Sequence, residues 1–238
     1  MSRTGFLALE LGPRVLYEHE DGTQVSGFVP DACTRLPRGH SHFGVVLDGE
    51  VLLNYRDRRR PLYAGDYFSC VGPTLLTGNG SGIVISSRGY VGINICGGPL
   101  EDQGRLRYID GSTDTLLVPP VRKGDPCLNH LHFPPGTVQT PHTHPSIRVN
   151  AVYRGSGVCV LPDEGRRVPL VPGYAFVILP ETVHSFDTEN DIMDVITFHP
   201  DSDTGMTDDD HPMVNRTFVD GVSANVIDSI RTPAHVVV

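Results

Sequence analysis

The sequence predicts an all-β protein built as two tandem barrels, and three observations support this prediction. Short runs rich in Val, Ile, Leu, Phe and Tyr recur along the 238 residues, and the 26 Gly and 20 Pro fall between them, as is typical of short strands joined by tight turns. No stretch of a dozen residues has the apolar spacing of an amphipathic helix, and only residues 225–231 hint at a short one. The same pattern of strands and turns also occurs twice.

The predicted strands form two groups. In the first half they cover residues 44–53, 67–71, 83–87 and 90–95. In the second half they lie near residues 128–133, 149–154, 157–161, 175–179 and 194–198. Residues 97–126 between them are polar and rich in turn residues, apart from the apolar run 116–118. Regularly spaced short strands with turn signals favour a sandwich or a barrel.

The two halves align with each other. Residues 36–53 match residues 142–161 with Gly49 over Gly155, and residues 61–76 match residues 169–184 with Gly65 over Gly173. A repeated unit of this kind predicts one barrel per half. The predicted organisation is an N-terminal barrel over 1–98, a connecting segment over 99–126, a C-terminal barrel over 127–200, and a loop and tail over 201–238.

Composition excludes several classes of function. The formal net charge of -9 argues against nucleic acid or an anionic membrane surface as partner. No run approaches 18 apolar residues and the first residues lack a sustained apolar segment, so we expect a cytoplasmic protein. An odd number of cysteines without a CxxC pair predicts free, buried thiols in a reducing compartment and no thiolate metal site. They are Cys33, Cys70, Cys96, Cys127 and Cys159.

Two segments of the second half carry a specific resemblance, PPGTVQTPHTHPSIRVNAVYRGSG and PGYAFVILPETVHSF. Here the chain resembles the cupin superfamily, whose first motif is Gly, five residues, His-x-His, three or four residues, Glu, six residues and Gly. That motif is matched at Gly136, His142, His144 and Gly155. In the second motif a metal-binding His follows a Gly by eleven residues, as His184 follows Gly173. The resemblance implies two cupin barrels, of the double-stranded β-helix or jelly-roll type.

The resemblance also implies that His142, His144 and His184 bind one divalent transition metal. Two His separated by one residue on a strand point to the same face, and a third from a neighbouring strand completes a facial set. Fe(II) is the expected metal, with Zn, Ni, Mn and Cu as alternatives, and coordination positions stay open for substrate or dioxygen. The competing interpretation is a set of hydrogen-bonded polar residues in a barrel without metal.

The chain departs from the motif at Arg148, which stands where the family has a Glu ligand. A guanidinium stays protonated and cannot ligate a metal. The chain therefore resembles three-His cupins, such as thiol dioxygenases, diketone-cleaving dioxygenases and gentisate-type ring-cleaving enzymes, more than three-His-one-Glu cupins. If Arg148 faces inward, it is suited to bidentate capture of a carboxylate, which predicts a small organic acid as substrate.

The first half lacks the metal motif, because the corresponding positions are Leu36, Arg38, His42 and Leu76. The N-terminal barrel is therefore predicted to serve packing or dimerisation. His40 and His42 lie after the positions that the motif requires for its His-x-His pair. We interpret them as surface residues or as residues that hold metal ligands in place. By resemblance, a homodimer is expected.

Further candidates for the pocket lie on the predicted strands. His130 and His132 share a face of one strand, which makes them candidates for acid–base groups, with structural His as an equally open alternative. Tyr153 and His199 lie on neighbouring strands, and Tyr153 faces inward or outward depending on one residue of register. Two charged runs have simpler interpretations. The acidic residues of 201–210 lack the order of a calcium loop, and the arginines of 56–60 indicate a solvated hairpin tip.

The leading hypothesis is thus a non-haem Fe(II) dioxygenase that acts on a small carboxylate or phenolic acid, with Arg148 orienting the anion. An alternative is a metal-dependent isomerase, decarboxylase or lyase that needs no dioxygen. A third is a non-catalytic protein that binds a small molecule in the same pocket.

Overall fold

The computed structural model describes residues 5–233, and strands dominate it. The first eleven strands are β1 (Phe6–Leu9), β2 (Val15–Glu18), β3 (Thr23–Phe28), β4 (Thr34–Leu36), β5 (His40–Asp48), β6 (Glu50–Tyr55), β7 (Arg58–Tyr63), β8 (Tyr67–Val71), β9 (Thr74–Gly78), β10 (Ser81–Arg88) and β11 (Ile95–Gly97). The next eleven are β12 (Leu106–Arg107), β13 (Thr113–Val118), β14 (Cys127–Phe133), β15 (Arg148–Gly155), β16 (Gly157–Leu161), β17 (Arg166–Leu170), β18 (Ala175–Ile178), β19 (Ser185–Asp187), β20 (Met193–His199), β21 (Phe218–Val219) and β22 (Val222–Ser223).

Helix is scarce in the described residues. The structure has a single-turn α-helix α1 (Pro212–Asn215) and three 3-10 turns, at Pro162–Glu164, Ala224–Val226 and Asp228–Ile230. The hint of a helix at 225–231 thus corresponds to two 3-10 turns. None of the described helices has the length and apolar character needed to cross a membrane. The all-β prediction is confirmed.

Four antiparallel sheets carry the fold. The first half has a six-stranded sheet in the order β11-β8-β5-β10-β3-β2 and a four-stranded sheet in the order β4-β9-β6-β7. The second half has a seven-stranded sheet in the order β1-β18-β15-β20-β14-β13-β12 and a three-stranded sheet in the order β17-β16-β19. The strands β21 and β22 form a separate hairpin near the C-terminus.

Alternation along the central strands sorts their side chains between two apolar layers. In β18, Ala175 and Val177 pack in the layer between the two large sheets. Phe176 and Ile178, which point the other way, pack in the core between the seven- and three-stranded sheets. Fully burying a large apolar side chain such as Phe176 stabilises the fold by about 1.5–3 kcal/mol. The two halves therefore pack through their large sheets, and each has a core of its own.

Two segments extend the seven-stranded sheet beyond the predicted range 127–200. β1 pairs antiparallel with β18, with Phe6 opposite Ile178 and Leu9 opposite Ala175. At the opposite edge of the sheet, β13 pairs with β14 and β12 pairs with β13. Both strands come from the predicted connecting segment. The pairing of β1 satisfies backbone groups that would leave β18 as an unpaired edge. The sheets therefore do not coincide with the predicted ranges 1–98 and 99–126.

Most of the predicted strands begin and end within two residues of the observed ones. The predicted strand 44–53 is divided into β5 and β6, because Gly49 adopts a φ of +72° and turns the chain. The strand predicted at 90–95 is wrong, since β11 begins only at Ile95. The hydroxyl of Ser41 instead donates to the carbonyl of Tyr90 and accepts from the amide of Gly92. The backbone of this segment is therefore bound by a side chain and not by a neighbouring strand.

The cysteines are all free, as predicted, but they are not all buried. Cys70, Cys127 and Cys159 are buried, whereas Cys96 is partly exposed and Cys33 is exposed. Burial raises the pKa of the Cys127 and Cys159 thiols to about 12, so both stay protonated at neutral pH.

In the first half, apolar packing occupies two of the three positions that correspond to the candidate metal ligands; the third, Arg38, is exposed. Leu36 and Leu76, the counterparts of His142 and His184, are buried in the core between the two sheets of that half. His42 is also fully buried rather than on the surface. Its Nδ1 lies 2.7 Å from Ser86 Oγ, and its Nε2 lies 3.0 Å from the carbonyl oxygen of Pro37. His42 is therefore a hydrogen-bonded core residue.

We expect His42 to make the protein sensitive to acid. Burial lowers its pKa to about 4 from an ordinary value of 6.5. Below pH 6.5 the His42 imidazole becomes protonated in the unfolded chain but stays neutral in the folded chain. The stability of the folded chain that depends on neutral His42 is therefore complete above pH 6.5 and is lost as the pH falls to about 4. Between pH 7.5 and 4.5, His42 should contribute a loss of about 2–3 kcal/mol in the free energy of unfolding.

Urea unfolding of the wild type and of His42→Gln at both pH values tests this expectation. All other ionisable groups are the same in the two proteins, so their contributions cancel in the comparison. The free energy of unfolding of His42→Gln should fall by about 2–3 kcal/mol less on acidification. An equal loss in the two proteins would contradict the assignment.

Candidate metal centre

Three imidazoles converge in the second half. His142 and His184 lie side by side in an isolated antiparallel bridge, with two reciprocal backbone hydrogen bonds of 2.9 and 3.0 Å. The backbone carbonyl of His144 accepts a hydrogen bond from the amide of Glu181, which fixes this loop against the one that precedes His184. One ring nitrogen of each His lies within 4.8 Å of the other two. Three nitrogens bound to one metal stand roughly 3–3.5 Å apart, a spacing within reach of small ring rotations.

The local backbone differs from the predicted one. His142 and His144 precede β15 on a segment that is not a regular strand, and His184 directly precedes β19. The single bridge between His142 and His184 aligns the two segments, and regular strand pairing resumes after them. The convergence therefore depends on this bridge rather than on the period of a continuous strand.

Backbone carbonyls orient two of the rings in the same way. His142 Nδ1 lies 2.9 Å from the carbonyl oxygen of Thr140, and His184 Nδ1 lies 2.9 Å from the carbonyl oxygen of Thr182. Because a carbonyl only accepts, Nδ1 carries the proton in both rings. The lone pair is then on Nε2, the arrangement found in metal-binding histidines.

Burial and nearby charge keep the imidazoles of His144 and His184 neutral. Burial, and next the positive charge of Arg148, lower the pKa of His144 to about 2. Burial lowers the pKa of His184 to about 4. At neutral pH both rings therefore hold a free nitrogen lone pair, which a metal ligand must have.

The three imidazoles line a cavity of about 140 Å³. Four buried polar atoms of other lining residues have no hydrogen-bond partner within the described residues 5–233: Asp114 Oδ1, Asn129 Oδ1, Gln139 Nε2 and Arg148 Nε. Each such atom costs about 1–3 kcal/mol if it stays unpaired. These unpaired atoms make the cavity polar.

Arg148 is held firmly beside the histidines. Its Nη1 donates to the carbonyl oxygens of Ser146 and Ile147 and to Ser146 Oγ, at 3.2, 3.0 and 2.7 Å. Ser146 Oγ in turn donates to the carboxylate of Asp201 at 2.5 Å. The edge formed by Nε and Nη2 makes no hydrogen bond to any described residue. Burial lowers the pKa of Arg148, so capture of an anion would compensate a poorly solvated cation.

Two of the predicted pocket residues lie on the other face of the sheet. Along β14, Asn129 and Leu131 line the cavity, and so the alternate residues His130 and His132 point away from it. Both imidazoles instead lie against the buried carboxylate of Asp194, with His132 Nδ1 at 2.7 Å and His130 Nε2 at 3.1 Å from Oδ1. They share a face, as expected, but it is not the face of the cavity.

Tyr153 also lies outside the cavity, whereas His199 lines it. The tyrosine packs in the layer between the two halves. Its hydroxyl approaches Gly65 so closely that a Cβ there would lie 2.7 Å away. The pairing of β15 with β20 shifts register between Val152 and Arg154, next to this residue.

Sequence reasoning missed several residues that line the cavity. Asn129 lies on a predicted strand, next to His130, and knowledge of the inward face of β14 would have found it. Gln139 lies between Gly136 and His142 of the first motif. Tyr108 and Asp114 come from the segment predicted to connect the halves. No periodic signal marks them. Asp114 reaches the cavity through the pairing of β13 with β14, and Tyr108 follows β12, which pairs with β13.

Comparison with known proteins identifies the fold. No protein-family model matches the chain, and no curated protein matches it significantly. A cupin 2 conserved barrel domain protein from Leptotrichia buccalis superimposes with a TM-score of 0.59 at 13% identity, over 81% of this chain and 88% of that one. Salicylate 1,2-dioxygenase from Pseudoaminobacter salicylatoxidans, in a structure of adducts with gentisate, gives 0.57 at 14% identity, over 75% and 68%. A putative glyoxylate-induced protein from Pseudomonas aeruginosa gives 0.59 at 15% identity, over 78% and 76%. The chain therefore has the cupin fold.

Proposed function

We propose that this protein is a metal-dependent enzyme that binds one divalent metal, Fe(II) before the alternatives, on His142, His144 and His184 and acts on a small organic anion. The observation that carries the proposal is the meeting of three imidazoles and one guanidinium at a single polar cavity. When bound there, Fe(II) would supply redox chemistry with dioxygen and coordination positions for the substrate.

In this proposal Arg148 binds the carboxylate of the substrate through its unpaired Nε–Nη2 edge. Ser146 and Asp201 hold the guanidinium in place, so little side-chain entropy is lost on binding. The unpaired groups of Asn129 and Gln139 would bind the polar substituents of the substrate. A cavity of about 140 Å³ favours a compact acid over an extended one.

The reaction we propose first is oxygenation, in which both atoms of dioxygen enter a carboxylate or a phenolic acid. The name of one structural neighbour, a salicylate dioxygenase, supports this choice. The test begins with elemental analysis of protein purified without added metal. Oxygen uptake by the Fe(II)-loaded protein is then measured with salicylate, gentisate and small 2-hydroxy acids, with ¹⁸O₂ to follow the label into product. Anion-dependent uptake with two labelled atoms in the product supports the proposal, whereas uptake that persists in His142→Ala/His184→Ala contradicts it.

The buried carboxyl group of Asp114 favours a second candidate, a lyase, decarboxylase or isomerase that needs no dioxygen. Burial raises the pKa of Asp114, and Asn129 Nδ2 donates to its Oδ2 at 2.9 Å while Oδ1 is free. A carboxyl group in this state is suited to proton transfer. Turnover under strict anaerobiosis that is lost in Asp114→Asn would favour this candidate over oxygenation.

Replacing Arg148 by Met should raise KM about 10–100-fold while metal content stays unchanged, because the substitution removes one bidentate contact to the substrate and no metal ligand. Steady-state kinetics and elemental analysis measure the two effects. The control is Arg167→Met, which removes an exposed guanidinium from β17 in the same half. An unchanged KM in Arg148→Met would rule out the proposed role.

A further inference from the structure

A second and larger cavity lies in the first half, where the open edges of its two sheets face each other. It has a volume of about 740 Å³ and shares no lining residue with the cavity of the candidate metal centre. One side is formed by the β6–β7 hairpin and the other by β8 and β11. Its size falls within the range of small-molecule sites, roughly 300–1,000 Å³.

The strand pairing places cations on the inner face of the hairpin. Arg58 pairs with Tyr55 and Arg60 pairs with Leu53. Because directly paired residues share a face, both arginines lie on the same side as Leu53, which packs in the core of this half. The inner face of the hairpin therefore changes from apolar to cationic towards its tip.

These cations are not neutralised by the protein. Four arginines line the cavity, at positions 56, 58, 59 and 60, together with a single carboxylate, Asp57. Within residues 5–233 none of the four guanidinium groups lies within 4.0 Å of a carboxylate. Three positive charges thus remain uncompensated in one concave site of a chain whose net charge is -9. Like charges two residues apart on a strand repel each other, so an anion placed between them would be favoured.

The rest of the cavity offers an apolar surface and two unused hydroxyl donors, those of Tyr55 and Ser69. Leu53, Ile95 and Cys96 contribute apolar atoms to its lining. The hydroxyl of Tyr55 is buried and has no hydrogen-bond partner among the described residues. The guanidinium of Arg56 lies 5.1 Å from the centre of the Tyr55 ring, which leaves the charge next to an aromatic face.

We propose that this cavity is a second binding site, independent of the metal centre, for an organic anion with at least two negative charges on an apolar body. The anionic group lies between Arg58 and Arg60, whose planar forks suit phosphate and carboxylate oxygens. The apolar body lies on Leu53 and Ile95, and the Tyr55 hydroxyl donates to the ligand. The solvated hairpin tip predicted from the arginine run is, in this proposal, the entrance of the site.

Isothermal titration calorimetry of the full chain at low salt tests the proposal with 1-naphthyl phosphate as probe. Naphthalene-1,8-dicarboxylate serves as a second probe and distinguishes a phosphate site from a carboxylate site. Binding of either dianion should be tighter than that of inorganic phosphate or of 1-naphthol, which each lack one part of the ligand. Arg58→Gln/Arg60→Gln should raise the Kd of the better probe about tenfold or more, and Arg58→Lys/Arg60→Lys should raise it less.

Two matched variants locate the binding. Arg35→Gln/Arg38→Gln removes two exposed arginines from the same half outside the cavity, and Arg148→Met removes the cation of the metal cavity; neither should change the Kd. The replaced hairpin arginines are exposed, so their variants should keep the thermal stability of the wild type. An unchanged Kd in Arg58→Gln/Arg60→Gln overturns the proposal. Affinity for inorganic phosphate equal to that for both probes, or no binding of either probe to the wild type, also overturns it.

Discussion

Replacing His142 and His184 together by Ala is expected to reduce bound metal from about one equivalent per chain to less than about a tenth of that value. The reason is that a single imidazole, His144, then remains of three donors, and one neutral nitrogen does not retain a divalent ion against dilution. The measurement is elemental analysis after anaerobic loading with Fe(II) and desalting. Any catalytic activity of the loaded protein should fall to background in the same variant.

His19→Ala/His40→Ala is the control for this loss, because it removes two histidines of the first half that lie outside the cavity. It should retain the metal content of the wild type. Circular dichroism shows whether each variant keeps its strands, since His184 is 1% exposed and its replacement leaves a small void. Metal content that is equal in the wild type and in the folded double variant would contradict the three-imidazole site.

That these histidines lie close together could be predicted from the sequence, because the motif fixes the number of residues between each His and a Gly in a turn. Gly136, Gly155 and Gly173 each adopt a positive φ, between 71° and 80°, that a side chain disfavours. Turns of this kind fix where each strand begins, and so the spacing from Gly to His carries three-dimensional information. His142 and His144 do not lie on a regular strand, as they were predicted to. The rings still come together, because one residue separates these two histidines and a single bridge pairs His142 with His184.

The residues around the histidines were harder to predict, because a strand pattern tells which side chains share a face but not which face is inside. His130 and His132 illustrate this limit: they share a face, and the pairing of β14 with β13 and β20 turns it away from the cavity. Which residues then line the cavity depends on pairings between segments distant in sequence. Asp114 is an example, because only the addition of β13 to the sheet brings it to the cavity.

The contribution of β1 could not be predicted for a related reason. The strand has four residues and pairs with residues 175–178, about 170 positions later in the chain. Local pattern carries no information on so distant a partner. Phe6 nevertheless packs in the core of the second half, stacked on Phe176 with ring centroids 5.0 Å apart. The N-terminal strand therefore completes the half that contains the candidate metal centre.

Asp194 lies outside the cavity, and loss of its side chain should cost much stability. It is fully buried on β20, and its carboxylate accepts from Arg154 Nε and lies 2.7 and 3.1 Å from ring nitrogens of His132 and His130. Burial alone would raise the pKa of Asp194, but the neighbouring His130, Arg154 and His132 hold it below its ordinary value. Arg154 also contacts Asp102 and the carbonyl of Glu101, and so the carboxylate connects the segment between the halves to the sheet.

Asp194→Ala should therefore lower the free energy of unfolding by about 3–5 kcal/mol, because it leaves buried donors without their common acceptor. Urea denaturation at pH 7.5 measures the effect. Asp102→Asn is the matched control: its side chain is 95% exposed and contacts the same Arg154, so its cost should stay below about 1 kcal/mol. Metal content should be unchanged in both variants, since His130, His132 and Asp194 lie on the face of the sheet opposite the cavity. A loss of metal in Asp194→Ala without a loss of stability would show instead that this cluster supports the metal centre.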